Sequence, residues 1–189
     1  MGHGCGCSLD ASSRTKSSEV AASAMIIRRT KLLLVCALAL FHTLVVFDNI
    51  TDFGSNYQFV RHVLLMDTTF PANQAHWRAI AAPAIHLAFY VGIIAWEAAI
   101  AVLLWWGSAK LVRDLRGSAV AFQAAGRVAL AGLALSLLLW LVAFLCIGGE
   151  WFLMWQSPTW NGQQEAFRMF AVVALVFLIL LHGNADAQP

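Results

Sequence analysis

Four apolar runs, each about as long as a bilayer is thick, constrain the fold of this chain more than any other feature of its sequence. A helix needs about 20 predominantly apolar residues to cross the hydrocarbon core of a membrane. The runs cover approximately residues 27–47, 79–106, 128–147 and 166–182. The sequence therefore predicts an all-α integral membrane protein, a four-transmembrane-helix bundle that occupies residues 25–182.

The composition agrees with this class and restricts the function. Hydrophobic residues make up 60% of the chain and charged residues 12%, and the mean hydropathy is +0.72. Soluble proteins average about 45 to 50% apolar and 25% charged residues. Four crossings and their connections use most of the 189 residues, which leaves no room among them for a separate soluble enzyme domain. A net charge of +2 gives no indication of nucleic-acid binding.

The two ends of the chain differ from the bundle in composition. Residues 1–24 are rich in Ser, Ala and Gly without hydrophobic periodicity, a composition typical of segments that bury too little apolar surface to fold. We predict a disordered leader there, with Met25, directly before a basic cluster, as an alternative start of the mature chain. Residues 183–189 are predicted to form a short polar tail.

The distribution of Lys and Arg predicts the orientation in the membrane. Nine of them lie on the side of the two termini and three on the other; the nine are Arg14, Lys16, Arg28, Arg29, Lys31, Lys110, Arg113, Arg116 and Arg127, and the three are Arg61, Arg78 and Arg168. Because cytoplasmic loops carry the excess of positive residues, we expect a protein of the cytoplasmic (inner) membrane with both termini in the cytoplasm.

The polar insertion between the first two runs, residues 48–71, is the densest polar stretch of the chain. Aromatic and aliphatic residues recur in it at helical spacing, which predicts a short interfacial helix in this first extracytoplasmic loop. Asp48, Asn49 and Asp52 either order the loop through side-chain to backbone bonds or bind Ca²⁺. Because EF-hand spacing is absent, we predict no metal site.

A second loop, rich in tryptophan, covers residues 148–165 on the same side as this insertion. We expect the two loops together to present a surface to a ligand or partner. The candidate residues are Asp48, Asn49, Asp52, Asn56, Arg61, His62, Asp67, Trp77, Trp151 and Trp155.

His42, His86 and Glu97 are ionisable residues well inside the apolar runs, where an unpaired charge is costly. Glu97 is expected to stay uncharged or to bond a group such as Ser136 or Trp140. It shares a helix face with His86 but lies about 16 Å further along the axis, so a polar clamp is favoured over a proton relay. His42 and His86 are at matched depth, and either ligate one haem iron, with Arg61 or Arg78 near its propionates, or bond loop carbonyls.

Small residues predict where helices pack closely. Ala84, Ala88 and Gly92 recur every four residues on the second helix, and Gly132 and Ser136 do so on the third. Such stripes let transmembrane helix backbones approach each other.

No spacing typical of an enzyme occurs in the chain: there is no Ser-His-Asp order, zinc-binding H-E-x-x-H, phosphate-binding glycine loop or paired-carboxylate helix face. We therefore predict a non-enzymatic protein.

Three stretches of the insertion carry a family resemblance: Asp48-Asn-Ile-Thr-Asp-Phe-Gly-Ser-Asn56, Phe59-Val-Arg-His-Val-Leu64 and Met66-Asp-Thr-Thr-Phe-Pro71. With them the chain, from about Ile27 to Leu181, resembles a family of predicted small bacterial integral membrane proteins of unknown function. The resemblance implies a four-helix bacterial membrane protein and no activity.

Together these observations predict an accessory or assembly subunit. It would present its extracytoplasmic loops to a membrane-protein partner, or to a further copy of itself, in the lipid bilayer. The alternative is a cofactor (haem b) or proton-handling protein that uses His42, His86 and Glu97.

Overall fold

The protein is helical throughout the part of the chain that the structure describes. The computed structural model describes residues 7–182, with the side chains of residue 16 and of residues 18–182. The helices are α1 (Cys7–Thr51), α2 (Phe53–Leu65), α3 (Pro83–Arg113), α4 (Ala119–Leu138) and α5 (Gln163–Leu181). No β-strand occurs within residues 7–182.

Four segments are long and apolar enough to cross a membrane, as the sequence predicts. They are Ser18–Thr51, Pro83–Arg113, Ala119–Trp151 and Gln163–Leu181. The third segment combines α4 with a π-helical continuation over Leu139–Trp151. The short helix predicted in the first long connection is α2. The predicted four-helix bundle is therefore confirmed, with helices that extend further at most ends than the apolar runs do.

Local sequence explains several helix ends. Pro83 begins α3, where its missing N–H would have no helical partner. Ser118 precedes α4, and its side chain accepts a hydrogen bond from the backbone N–H of Ala121. Met66 ends α2 in the left-handed conformation, with a φ of 54°, and its N–H caps the carbonyls of His62 and Val63.

A tight contact between α3 and α4 lies at Gly107, outside the small-residue stripes that the sequence predicts. A Cβ added to Gly107 would lie 2.6 Å from the backbone nitrogen of Ala129, so only glycine fits there. Gly132 packs against the Leu104 side chain, with a Cβ position 3.0 Å from Leu104 Cδ2. The predicted contact through Gly132 and Ser136, both buried, therefore fits the structure.

The predicted stripe on the second helix is wrong. Ala84, Ala88 and Gly92 are exposed on α3, and a Cβ at Gly92 would meet nothing within 4 Å. The buried face of α3 instead carries His86, Tyr90 and Glu97. Burial of these polar side chains against neighbouring helices accounts for the rotation of α3, and the small residues are left on its exposed face.

At the end of the bundle where α3 and α5 end, two basic side chains of α1 bind helix ends. Arg28 Nη1 donates hydrogen bonds to the carbonyls of Leu115 and Gly117, just after α3. Lys31 Nζ donates to the carbonyl of His182, at the end of α5. Cations at the C-terminal end of a helix also interact favourably with its dipole.

Two segments differ from the sequence prediction. Residues 7–24 continue α1 as helix, where a disordered leader is predicted; extending an existing helix costs far less than nucleating one. The predicted second loop, residues 148–165, begins later than expected, because the π-helix runs to Trp151. Residues 1–6 of the leader and the predicted polar tail, residues 183–189, lie outside the described residues.

Candidate functional site

The two loops singled out in the sequence pack on each other and form one structural unit. We call this unit, residues 53–82 together with residues 151–162, the cap. Met66, Phe152 and Met154 are buried in a small apolar cluster inside it. The backbone N–H of Ile80 donates to the carbonyl of Leu64, which joins the end of α2 to the segment just before α3.

The Met66–Pro71 stretch forms the junction between the two loops. Thr68 Oγ1 and Ser157 Oγ share a hydrogen bond of 2.8 Å. The backbone N–H of Phe70 donates to Gln156 Oε1 at 3.2 Å, and the Phe70 ring packs edge-on against Trp155. This stretch therefore has a structural role inside the cap.

The side chains of His62 and Asp67, which are also part of the cap, lie within ion-pair distance of each other. His62 Nδ1 lies 2.8 Å from Asp67 Oδ2. The imidazole stacks on the Trp160 ring with 4.7 Å between centroids and an interplanar angle of 7°. The pair thereby ties the end of α2 to the second loop.

Arg78 joins the remaining tryptophans of the cap. Its guanidinium carbon lies 5.4 Å from the Trp77 ring centroid and 4.9 Å from that of Trp151. Its Nη1 also donates to the carbonyl of Trp151. Arg61, by contrast, points outward and bonds Gln58, so neither arginine is placed to meet a group bound between His42 and His86.

A large cavity lies directly beneath the cap. It has a volume of about 770 Å³ and is bounded by the end of α1, the first part of α2, the first half of α3, the π-helical segment and the start of α5. Its walls are mostly aromatic and aliphatic, with a few carboxylates and amides. Its lining residues include Asp48, Asn49, Asn56, Tyr90, Glu97, Trp140 and Glu165.

Glu97 is the most deeply buried acid of this cavity, with 2% of its surface exposed. Its Oε2 accepts a hydrogen bond of 2.9 Å from Asn49 Nδ2. The Tyr90 hydroxyl donates to the carbonyl and side-chain oxygens of the same Asn49. The polar partner predicted for Glu97 therefore exists, but it comes from α1 rather than from Ser136 or Trp140.

Ser136 bonds His42 instead. Its Oγ lies 2.9 Å from His42 Nε2, which links α1 to α4 in the middle of the bundle. His86 Nε2 lies 2.7 Å from the carbonyl oxygen of Ile80, as the loop-carbonyl alternative predicts for this residue.

The two histidines do not fit a haem site. Both Nε2 atoms, the usual axial ligands, already bond protein groups. Neither histidine lines the cavity. Each keeps an unpartnered Nδ1, but these atoms are sealed inside the helix packing. The histidines therefore act as connections between elements of the bundle.

The polar residues predicted at the start of the first loop lie at the end of α1 and at its junction with α2. Asp48 and Asn49 belong to the last turn of α1, and Asp48 Oδ2 accepts a bond of 3.3 Å from Asn56 Nδ2. Asp52 occupies the single residue between α1 and α2 and makes no side-chain cap. Among the described residues, no three His, Cys, Asp or Glu side chains are grouped so that they could hold a metal ion.

Sequence reasoning missed three lining residues, Tyr90, Trp140 and Glu165, as members of one site. One signal was available for Tyr90, because it precedes Glu97 by seven residues, two helical turns, and so shares its face. Trp140 and Glu165 reach the cavity from the π-helical segment and from α5, and helical spacing cannot show such contacts between distant segments.

Comparison with known proteins gives one match. A family model described as "Predicted small integral membrane protein (DUF2165)" matches residues 27–183. A search of curated proteins and a search of solved structures each found no match.

Proposed function

Since this chain belongs to the DUF2165 family of predicted small integral membrane proteins, we propose that it is a non-enzymatic accessory or assembly subunit. It resides in the cytoplasmic (inner) membrane with both termini in the cytoplasm, and its cap binds a second membrane protein. The non-enzymatic part rests on the sequence, which contains no spacing typical of a catalytic group.

The observation that carries this proposal is an aromatic edge on the outside of the cap. Four large rings are substantially exposed there: Phe70, Trp77, Trp151 and Trp155. They form two edge-to-face pairs, Phe70 with Trp155 and Trp77 with Trp151, with ring centroids 5.8 and 6.0 Å apart. Each pair takes one ring from each loop, so the edge exists only when both loops are folded together.

The chemistry of this edge resembles that of protein interfaces. Aromatic residues and arginine are enriched at interface cores and dominate their binding energy. Here Arg78 lies over two exposed indoles. The hydrogen bonds of Gln156 to Phe70 and Asn73 hold the rings in place before binding, which reduces the entropy lost on association.

The partner is inferred to be a membrane protein because of where the edge lies. The cap directly follows the ends of transmembrane helices, and tryptophan prefers the headgroup region of a bilayer. A protein that contacts these rings must therefore itself be present at the membrane surface.

Site-specific photo-crosslinking in intact cells tests this proposal. A benzophenone amino acid placed at Phe70 or Trp155 should crosslink this chain to one other protein. The product should be a single discrete species, larger than a lipid adduct, with a mass that differs from twice the mass of this chain. The same probe at Leu175, exposed on the apolar face of α5, is the matched control and should give only lipid adducts. Lipid adducts alone at all three positions would refute the proposal, and a product of twice the chain mass would replace the partner by a second copy.

A further inference from the structure

The cavity beneath the cap has carboxylate groups both at its base and at its rim. Three carboxylates line it: Glu97 is buried, whereas Asp48 and Glu165 are exposed. No Lys, Arg or His is among its lining residues. The cavity therefore presents negative or acceptor groups along its depth without a protein cation to neutralise them.

One carboxylate oxygen of Glu97 is left without a protein partner at this cavity. Glu97 uses Oε2 to accept from Asn49, while its Oε1 has no hydrogen bond within the described residues. Because Glu97 lines the cavity, this oxygen can act as the acceptor or counter-charge for a bound group.

The remaining wall is suited to an apolar cation. Five aromatic rings line the cavity: Phe41, Phe59, Tyr90, Trp140 and Phe144. The faces of such rings attract organic cations, most strongly where water is excluded. The volume of about 770 Å³ falls within the range of about 300 to 1,000 Å³ typical of small-molecule sites.

We propose that this cavity is a binding site for an amphipathic organic cation, with Glu97 as the counter-ion at its base and the aromatic rings as its walls. Asp48 and Glu165 attract the cation at the rim. A metal ion does not suit the site, since its walls are largely carbon and the three carboxylates belong to different parts of the cavity.

Equilibrium binding of radiolabelled tetraphenylphosphonium to the purified full-length protein in a neutral detergent tests this site. We expect saturable binding to the wild type and an affinity lower by about tenfold or more, about 1.4 kcal/mol, in Glu97→Gln. This substitution keeps the shape of the side chain and a group that can bond Asn49. The matched control is Glu150→Gln, an exposed carboxylate outside the cavity, which should bind as the wild type does.

Two further measurements keep the test decisive. If Glu97→Gln does not fold, the rim variant Asp48→Asn/Glu165→Gln, changed only at exposed positions, should weaken binding several-fold. Unchanged affinity in a folded rim variant would then refute the site. Absence of saturable binding to the wild type, equal binding by Glu97→Gln, or full displacement by millimolar Na⁺ at constant ionic strength would also overturn the proposal. These binding results do not test the proposed partner of the cap, which the crosslinking experiment tests separately.

Discussion

At the scale of single residues, the buried side chains of His42, His86 and Glu97 have two different roles. His42 and His86 are connectors, since each Nε2 bonds a group on another part of the chain. Glu97 differs, because one of its oxygens bonds Asn49 and the other remains free at the cavity. The environment around each group, rather than its residue type, separates the two roles.

We predict that the hydrogen bond from Asn49 stabilises Glu97 in its buried position. Asn49→Ala removes the hydrogen bond to Glu97 Oε2 and one acceptor of the Tyr90 hydroxyl. Leaving buried polar groups without partners costs about 1 to 3 kcal/mol. We expect a decrease of this size in the free energy of unfolding, measured by denaturant titration in mixed micelles.

A double-mutant cycle identifies the source of that loss. In the Glu97→Leu background the Asn49→Ala substitution should cost clearly less, because the carboxyl group that needs the amide is gone. Equal costs in both backgrounds would show that Asn49 acts through Tyr90 alone. Gln164→Ala, at an exposed position on α5, serves as the control and should leave stability unchanged.

At the scale of helices, packing between α3 and α4 depends on one missing side chain. The Cβ position at Gly107 lies 2.6 to 2.8 Å from three atoms of Ala129, two of them backbone atoms. Backbone atoms cannot move aside as a flexible side chain can, so any residue larger than glycine must separate the two helices.

Gly107→Ala should therefore destabilise the bundle. Alanine gains about 1 kcal/mol over glycine in helix propensity, whereas overpacking at a tight contact costs about 1 to 3 kcal/mol, and the clash should prevail. We expect a lower midpoint of thermal unfolding, followed by circular dichroism in detergent.

Gly92→Ala is the matched control on the same helix. Nothing lies within 4 Å of its Cβ position, so the propensity term acts alone and the midpoint should stay equal or rise. If the two variants behaved alike, the inferred contact between Gly107 and Ala129 would be wrong.

At the scale of the whole molecule, the bundle has two chemically different ends. One end carries the cap with its exposed aromatic rings and the acidic cavity beneath it. At the other end, Arg28 and Lys31 bond the carbonyls that follow α3 and α5. The basic residues that predict the cytoplasmic side therefore also help to join the helix ends there.

Cysteine labelling in intact cells measures this orientation. In a cysteine-free background, Trp77→Cys at the cap should react with a membrane-impermeant maleimide added from outside. Val120→Cys, at the start of α4, should react only after lysis, because we expect that end in the cytoplasm. The two wild-type side chains are 73% and 75% exposed, so accessibility within the protein does not distinguish them. The opposite pattern would invert the proposed topology.

The number and approximate position of the crossing helices follow from the sequence alone. The thickness of the bilayer sets the length of an apolar run, and this constraint acts within each run without any contact between runs. The same locality explains why α2 was predictable from the spacing of its apolar residues. The ends of the helices are predicted less accurately from the sequence. The π-helical geometry after Leu138 and the extension of α1 have no strong signal in the local sequence.

Only the tertiary structure decided which polar groups meet. Asn49 and Glu97 are 48 residues apart, and His42 and Ser136 are 94 apart, so no helical spacing relates them. The junction of Thr68 with Ser157 spans 89 residues, and it makes the Met66–Pro71 stretch the contact between the two loops of the cap rather than a free loop. The sequence by itself determined that this chain crosses a membrane four times, because burial in lipid is a property of each segment. Only the folded chain determined the cavity, because the cavity lies between several helices and depends on how each helix is rotated relative to the others.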